Sequence, residues 1–157
     1  MLSKEHILRR FRWTITTLIV LAMQLGVVSA YAETRLLSLN AGIHRIEAEV
    51  ASTFSERAEG LMHRKSMAMH RGMLFVFNVP GEQCMWMRNT LIPLSVAFLD
   101  ADGIIINIEE MQPETLDNHC AQKPAKFALE MNAGWFKSHG VATGSKIKGV
   151  ENAPAAH

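Results

Sequence analysis

After residue 33 the chain alternates short apolar runs with clusters of turn-forming residues. Thr34 to Asn40 and Ile43 to Ala51 predict two strands. In the second, His44, Glu47 and Glu49 are interleaved with Ile46, Ala48 and Val50, close to the period of a half-solvated strand, and Ala41-Gly42 marks a tight connection before it. Met73 to Phe77 is a continuous apolar run that predicts a core strand ended by the Pro80-Gly81 pair. Cys84 to Met87 predicts the next strand. Pro93 then holds Ile92 extended, and Leu94 to Leu99 predicts another. Asp100-Ala101-Asp102-Gly103 is a hairpin signal, because Asp-Gly supplies the positive φ that such turns need, and Ile104 to Met111 returns from it. Phe127 to Met131 and Gly144 to Val150 complete the strands.

Helical spacing is scarce. Thr53 followed by Glu56 predicts a capping box, and Phe54 and Leu61 recur so as to face the core while Glu56 and Glu59 face water, ending near Leu61 or Met62. Asn132 is placed to cap a second short helix running through Lys137 and stopping before Gly140. Met62 to Arg71 has little periodicity and reads as a structured loop. Gln112 to Ala125 reads as a long loop pinned near Cys120, and Glu151 to His157 as a flexible C-terminal tail. Strands therefore outnumber helices, and neither helix has the length usual for a crossover in an α/β sheet. The expected fold is mainly β, a compact and largely antiparallel barrel or sandwich-like sheet with one or two short covering helices.

The first 32 residues obey different rules. Lys4, Arg9, Arg10 and Arg12 precede an apolar stretch from Trp13 to Val28, and Ala30-Tyr31-Ala32 fits a small-x-small cleavage site. This is the pattern of a signal peptide over residues 1–32, with retention as an anchor the alternative, and it predicts a periplasmic or secreted protein. One mainly β domain is then expected over 33–150. Setting the segment aside turns the formal charge from +1 (16 basic against 15 acidic) to −2 (12 against 14). With no basic excess and its cations scattered singly, the remaining chain is not expected to bind nucleic acid. No stable membrane span is expected after cleavage.

An oxidising compartment bears on the cysteines, Cys84 and Cys120, which predict one disulfide. The alternatives are two separate buried thiols, or metal binding or redox exchange, although no CxxC is present.

The least ordinary polar cluster is Trp86-Met87-Arg88-Asn89-Thr90, set between two apolar runs. An amide, a hydroxyl, a guanidinium and an indole wall together suit a small polar recess for a small polar or anionic ligand, or for a periplasmic protein partner. The structural alternative is a tight turn in which Asn89 and Thr90 satisfy backbone groups. Arg57, Arg64 and Glu130 complete the candidate set, with Glu130 as the expected carboxylate partner of a buried arginine. Met62, Met67, Met69, Met73, Met85 and Met87 lie near His63 and His70 in sequence, a ligand set suited to reduced copper, but core packing serves the same pattern. His119, beside Cys120, could join a metal or activate a thiol. No HExxH, GxSxG, phosphate-loop or paired-carboxylate spacing occurs, and Asp100 and Asp102 belong to a hairpin turn.

From Arg57 onward the chain resembles a known family. Gly60-Leu61-Met62, Arg64, Gly72-Met73-Leu74-Phe75-Val76-Phe77, Trp86-Met87-Arg88-Asn89-Thr90, Ile92-Pro93-Leu94, Asp102-Gly103, Pro124, Leu129-Glu130, Gly134 and Gly140 are similar to the signature of the prokaryotic domain of unknown function 192. The resemblance implies a small, mainly β fold, frequent export, and no agreed activity, cofactor or partner. Ser95 stands where the family commonly has Asp, and Ser145 where an acid often follows the glycine near the C-terminus, which argues against a carboxylate site. The expected function is that of a non-catalytic binding or accessory module with no cofactor. The alternatives are copper handling and an enzyme of unassigned reaction.

Overall fold

The computed structural model describes residues 36–157; the signal peptide expected over residues 1–32 lies outside them. Seven strands form one sheet in the order β6-β5-β8-β3-β2-β1-β9, and β4 pairs with β7 in a separate two-stranded ribbon. The strands are β1 (Leu36–Ala41), β2 (His44–Ala51), β3 (Arg71–Gly81), β4 (Cys84–Met85), β5 (Leu94–Leu99), β6 (Ile105–Met111), β7 (His119–Cys120), β8 (Ala125–Asn132) and β9 (Ile147–Lys148). All neighbours in the large sheet are antiparallel except β2 and β3, which are parallel and joined across α1 (Phe54–Glu59). The sheet curls until its ends approach: Ile104 bridges Lys146, and the Ile105 and Ile147 amides donate to the Ser145 and Gly103 carbonyls. The expected largely antiparallel, curled β fold with short helices is what forms.

The curl divides the apolar residues between two cores, because successive side chains on a strand point to opposite faces. Leu74, Val76, Ala97, Leu99, Leu129 and Met131 pack with Ile46, Trp135 and Phe136 in one cluster. Met73, Phe75, Leu94, Val96, Phe98 and Ala128 pack in the other, beneath Leu61, Met85, Met87 and Ile92. Every residue of β5 is therefore buried. The segments around 61 and 85–92 cover the sheet and are held by few regular hydrogen bonds of their own.

Several local expectations are corrected. Phe54 is exposed, and only Leu61, beyond the helix, reaches the core. Helix α1 docks by polar contacts instead: the capping box forms, the Ser52 amide also donates to Glu56, and Arg57 Nη1 donates to the Ser52 carbonyl and, at 3.1 Å, to that of Val76. β3 continues through Pro80-Gly81 because its register against β8 shifts between Val76 and Gly81, which frees Pro80 from ladder bonding. Asn132 caps no helix; it ends β8 and donates to the carbonyls of Met67 and Ala68, while Gly134, with φ 74°, precedes α2 (Trp135–Ser138). The residues after Glu151 run back onto the sheet: Ala153 and Ala156 pack against the first core and the His157 amide donates to the Ser52 carbonyl.

Candidate functional site

The ribbon of β4 and β7 sets the position of the polar elbow. Cys84 and Cys120 are direct cross-strand partners and form a disulfide, so the start of the elbow is tied covalently to the segment following β6. Asn107 reinforces the tie, donating to the Cys120 carbonyl and accepting from the Gln122 amide. From this anchor the side chains alternate. Met85, Met87, Thr90 and Ile92 are buried, and Trp86, Arg88, Asn89 and Leu91 are exposed.

The outward residues are individually constrained. Trp86 is 45% exposed, and the Arg88 guanidinium carbon stands 5.6 Å from the centre of its indole, within cation–π range. Asn89 takes φ 57°, a left-handed conformation that asparagine tolerates better than most residues, and its carbonyl accepts from the His63 amide at 2.8 Å. The Thr90 amide donates back to the Met87 carbonyl and its own carbonyl accepts from Glu114, so the elbow is a tight turn stitched to two neighbouring loops. Leu91 and Leu116, also exposed, lie within two residues of that last contact.

The other candidate residues do not join this cluster as a charge network. Arg57 serves the backbone carbonyls around α1. Arg64 forms a two-pronged pair with Glu49 of β2, at 2.5 and 2.6 Å, and this hydrogen-bonded carboxylate raises the guanidinium pKa further. Neither arginine is the partner expected for Glu130. That residue, opposite Met73 and Val96, is 3% exposed on the second core's side of β8, and burial alone pushes its carboxyl up to about 8. A protonated carboxyl there needs no cation, which is why the pairing argument from charge failed.

The methionines divide likewise. Met73, Met85 and Met87 are buried in the second core, Met67 packs against it, and Met69 is 60% exposed. Met62 Sδ lies 3.9 Å from Asn89 Nδ2. Among the described residues no group of three or more His, Cys, Asp or Glu is placed to hold a metal, and His119 keeps a buried Nε2 without a protein hydrogen-bond partner.

A family model for domain of unknown function 192, described as an uncharacterized ACR, matches residues 36–149. The chain belongs to that family. The DUF192 chain is similar to the crystal structure of a candidate transcription regulator from Sinorhizobium meliloti, at 34% identity over 73% of this chain and 92% of that one, with a TM-score of 0.68. It is also similar to a protein of unknown function from Novosphingobium aromaticivorans, at 28% identity over 78% of this chain and 91% of that one, again with a TM-score of 0.68. No match to a curated protein was found. No helix among the described residues is long and apolar enough to cross a membrane.

Two arrangements in this DUF192 chain left no sequence signal. Ser95, where the resemblance suggested an acid, is fully buried and donates to Glu110 at 2.7 Å, and both side chains accept from the Gly134 amide. The acid is thus supplied from the adjacent strand. At another place, His139 stacks on Trp135 at 4.2 Å and meets His44 edge-on at 4.6 Å. The two histidines are far apart in sequence, and only the approach of the β1–β2 hairpin to α2 joins them.

Proposed function

We propose that this protein is an exported, non-catalytic binding module that recognises an acidic, partly apolar segment of a partner through Trp86, Arg88 and Asn89. The observation that carries the reading is the exposed Arg88–Trp86 stack on a turn fastened by a disulfide. Tryptophan and arginine are the side chains that concentrate binding energy at protein interfaces, and a turn held in place loses little entropy when a partner orders around it. Arg88 offers a planar donor set for a carboxylate, Asn89 an amide, and the indole with Leu91 an apolar flank. The recess expected near Trp86–Thr90 becomes, in this reading, an outward face above the buried Met85 and Met87. Export is supported by the N-terminal pattern and by the disulfide, which suits an oxidising compartment.

The test is an array of short acidic peptides bearing one apolar or aromatic residue, set against charge-reversed counterparts. The acidic series is expected to bind, and Trp86→Ala and Arg88→Ala each to weaken it by about tenfold or more. Equal binding of both series would remove the ligand class, and binding unaffected by the two substitutions would remove the site.

A further inference from the structure

A cavity of about 490 Å³ lies where the tip of the β1–β2 hairpin, the segment after α2 and β9 come together, and Trp86, Arg88 and Asn89 do not line it. Its volume is that of a small-molecule site. All of its titratable lining groups are basic: His44, His139, Lys146 and Lys148. Alternation along β9 explains the two lysines, because Ile147 between them is buried in the first core and so turns both of its neighbours to the other side.

The histidines are held rather than free. His139 Nδ1 lies 2.7 Å from the Trp135 carbonyl, which can only accept, so Nδ1 carries hydrogen and Nε2 of the uncharged ring is an acceptor, suited to a hydroxyl. Stacking on Trp135 and the edge contact with His44 keep the ring in one plane. Trp135 is itself buried, so the support beneath His139 is rigid. Ser145 adds a hydroxyl to the lining, and its Oγ accepts from the Ala142 amide, which leaves the hydroxyl hydrogen available as a donor. Ile43, Ala41 and Val141 add apolar surface, and Ile43 is 94% exposed at the rim.

From this constellation we infer that the cavity binds a small organic anion, a phosphate ester or a carboxylate, with its charged oxygens toward Lys146, Lys148 and the Ser145 hydroxyl and its apolar part against Ile43 and Val141. Two ammonium groups, Lys146 and Lys148, border one volume, and an anion placed between them offsets their mutual repulsion. The cavity exceeds what an inorganic ion needs, and the exposed isoleucine at its rim gives an apolar group something to cover.

The test is calorimetric titration of the purified protein with inorganic phosphate, phenyl phosphate and benzoate. Saturable binding of phenyl phosphate or benzoate, tighter than that of inorganic phosphate, is expected; which of the two binds better identifies the charged group. Lys146→Ala with Lys148→Ala is expected to weaken the preferred probe by about tenfold or more. Both lysines are exposed, so the variant should fold, and an unchanged thermal transition checks it. Arg88→Ala should leave the affinity as it is, which separates this site from the proposed peptide-binding face. No saturable binding by any probe, binding of inorganic phosphate as tight as that of the organic anions, or affinity unaltered in the double lysine variant would each overturn the assignment.

Discussion

Arg88 lies over the face of Trp86, 5.6 Å from the ring centre, on the outside of a turn whose inward residues Met85 and Met87 are buried. The same few residues thus have opposite tasks. Exposed cation–π contacts contribute only about 0.5–1 kcal/mol, whereas removing a buried methionine side chain costs about 2–5 kcal/mol. Arg88→Ala is therefore expected to leave chemical unfolding nearly unchanged and Met87→Ala to destabilise the fold severely. Comparable losses in the two variants would mean that Arg88 is a structural residue.

Glu130 predicts a pH dependence of definite sign. Its folded-state pKa of about 8 stands above the ordinary value of 4.5, so between those limits the folded chain holds a proton that the unfolded chain releases. Stability from this residue is fully present below about pH 4.5 and declines by about 1.4 kcal/mol per pH unit as pH rises toward 8. Urea unfolding of wild type and Glu130→Gln at pH 5, 6.5 and 8 checks it, because the difference between the two isolates this one group. The variant is expected to gain on the wild type as pH rises; a constant difference would show that Glu130 does not titrate in this range.

The Cys84–Cys120 disulfide spans 36 residues of sequence. On the chain-entropy account a loop of this length stabilises the folded state by about 4 kcal/mol. Reduction, or Cys84→Ser with Cys120→Ser, is expected to lower stability by about 2–4 kcal/mol and to affect the elbow first, since β4 and β7 are each only two residues long. Hydrogen exchange at Trp86 to Thr90 is the measurement; exchange unchanged on reduction would show that the non-covalent contacts of the elbow suffice.

Gly72 on β3 has no room for a side chain. A Cβ there would stand 2.5 Å from the Glu130 carbonyl and run into Met131 Sδ. The methionine can move but the backbone of β8 cannot without disturbing the ladder, so Gly72→Ala is expected to cost about 1–3 kcal/mol. Gly140→Ala, with nothing within 4 Å but φ 67°, should cost about 1 kcal/mol through backbone strain alone. Thermal unfolding distinguishes the two, and a neutral Gly72→Ala would contradict the observed approach of β3 and β8.

Much of the local architecture was legible because it depends on neighbours in sequence. Period-two patterning located β2, the Asp100-to-Gly103 turn that announced β6 formed with Asp100 accepting from the Asp102 and Ile104 amides, and Thr53 and Glu56 made their capping box. The errors share a cause. Phe54, Pro80 and Asn132 depart from what such residues usually do locally: α1 docks through Arg57 and leaves Phe54 exposed, a shift of register frees Pro80, and Asn132 reaches the distant carbonyls of Met67 and Ala68. The same holds for the candidate cluster, where Arg64 found Glu49 instead of Glu130, and the meeting of His44 with His139, outside that cluster, is likewise a contact that spacing does not encode.

By itself the sequence determined that the chain makes short strands closed by glycine and aspartate turns, two cysteines able to pair, and one polar interruption between apolar runs, since these follow from torsional preference, periodicity and composition. The tertiary structure alone decided that the sheet curls into two cores, which of the elbow's residues face outward, that Glu130 is buried in an apolar strand away from both candidate arginines, and that two lysines and two histidines line one open cavity. Burial and convergence depend on how strands are ordered in space, and residues from both ends of the chain meet only when the sheet brings its edges together.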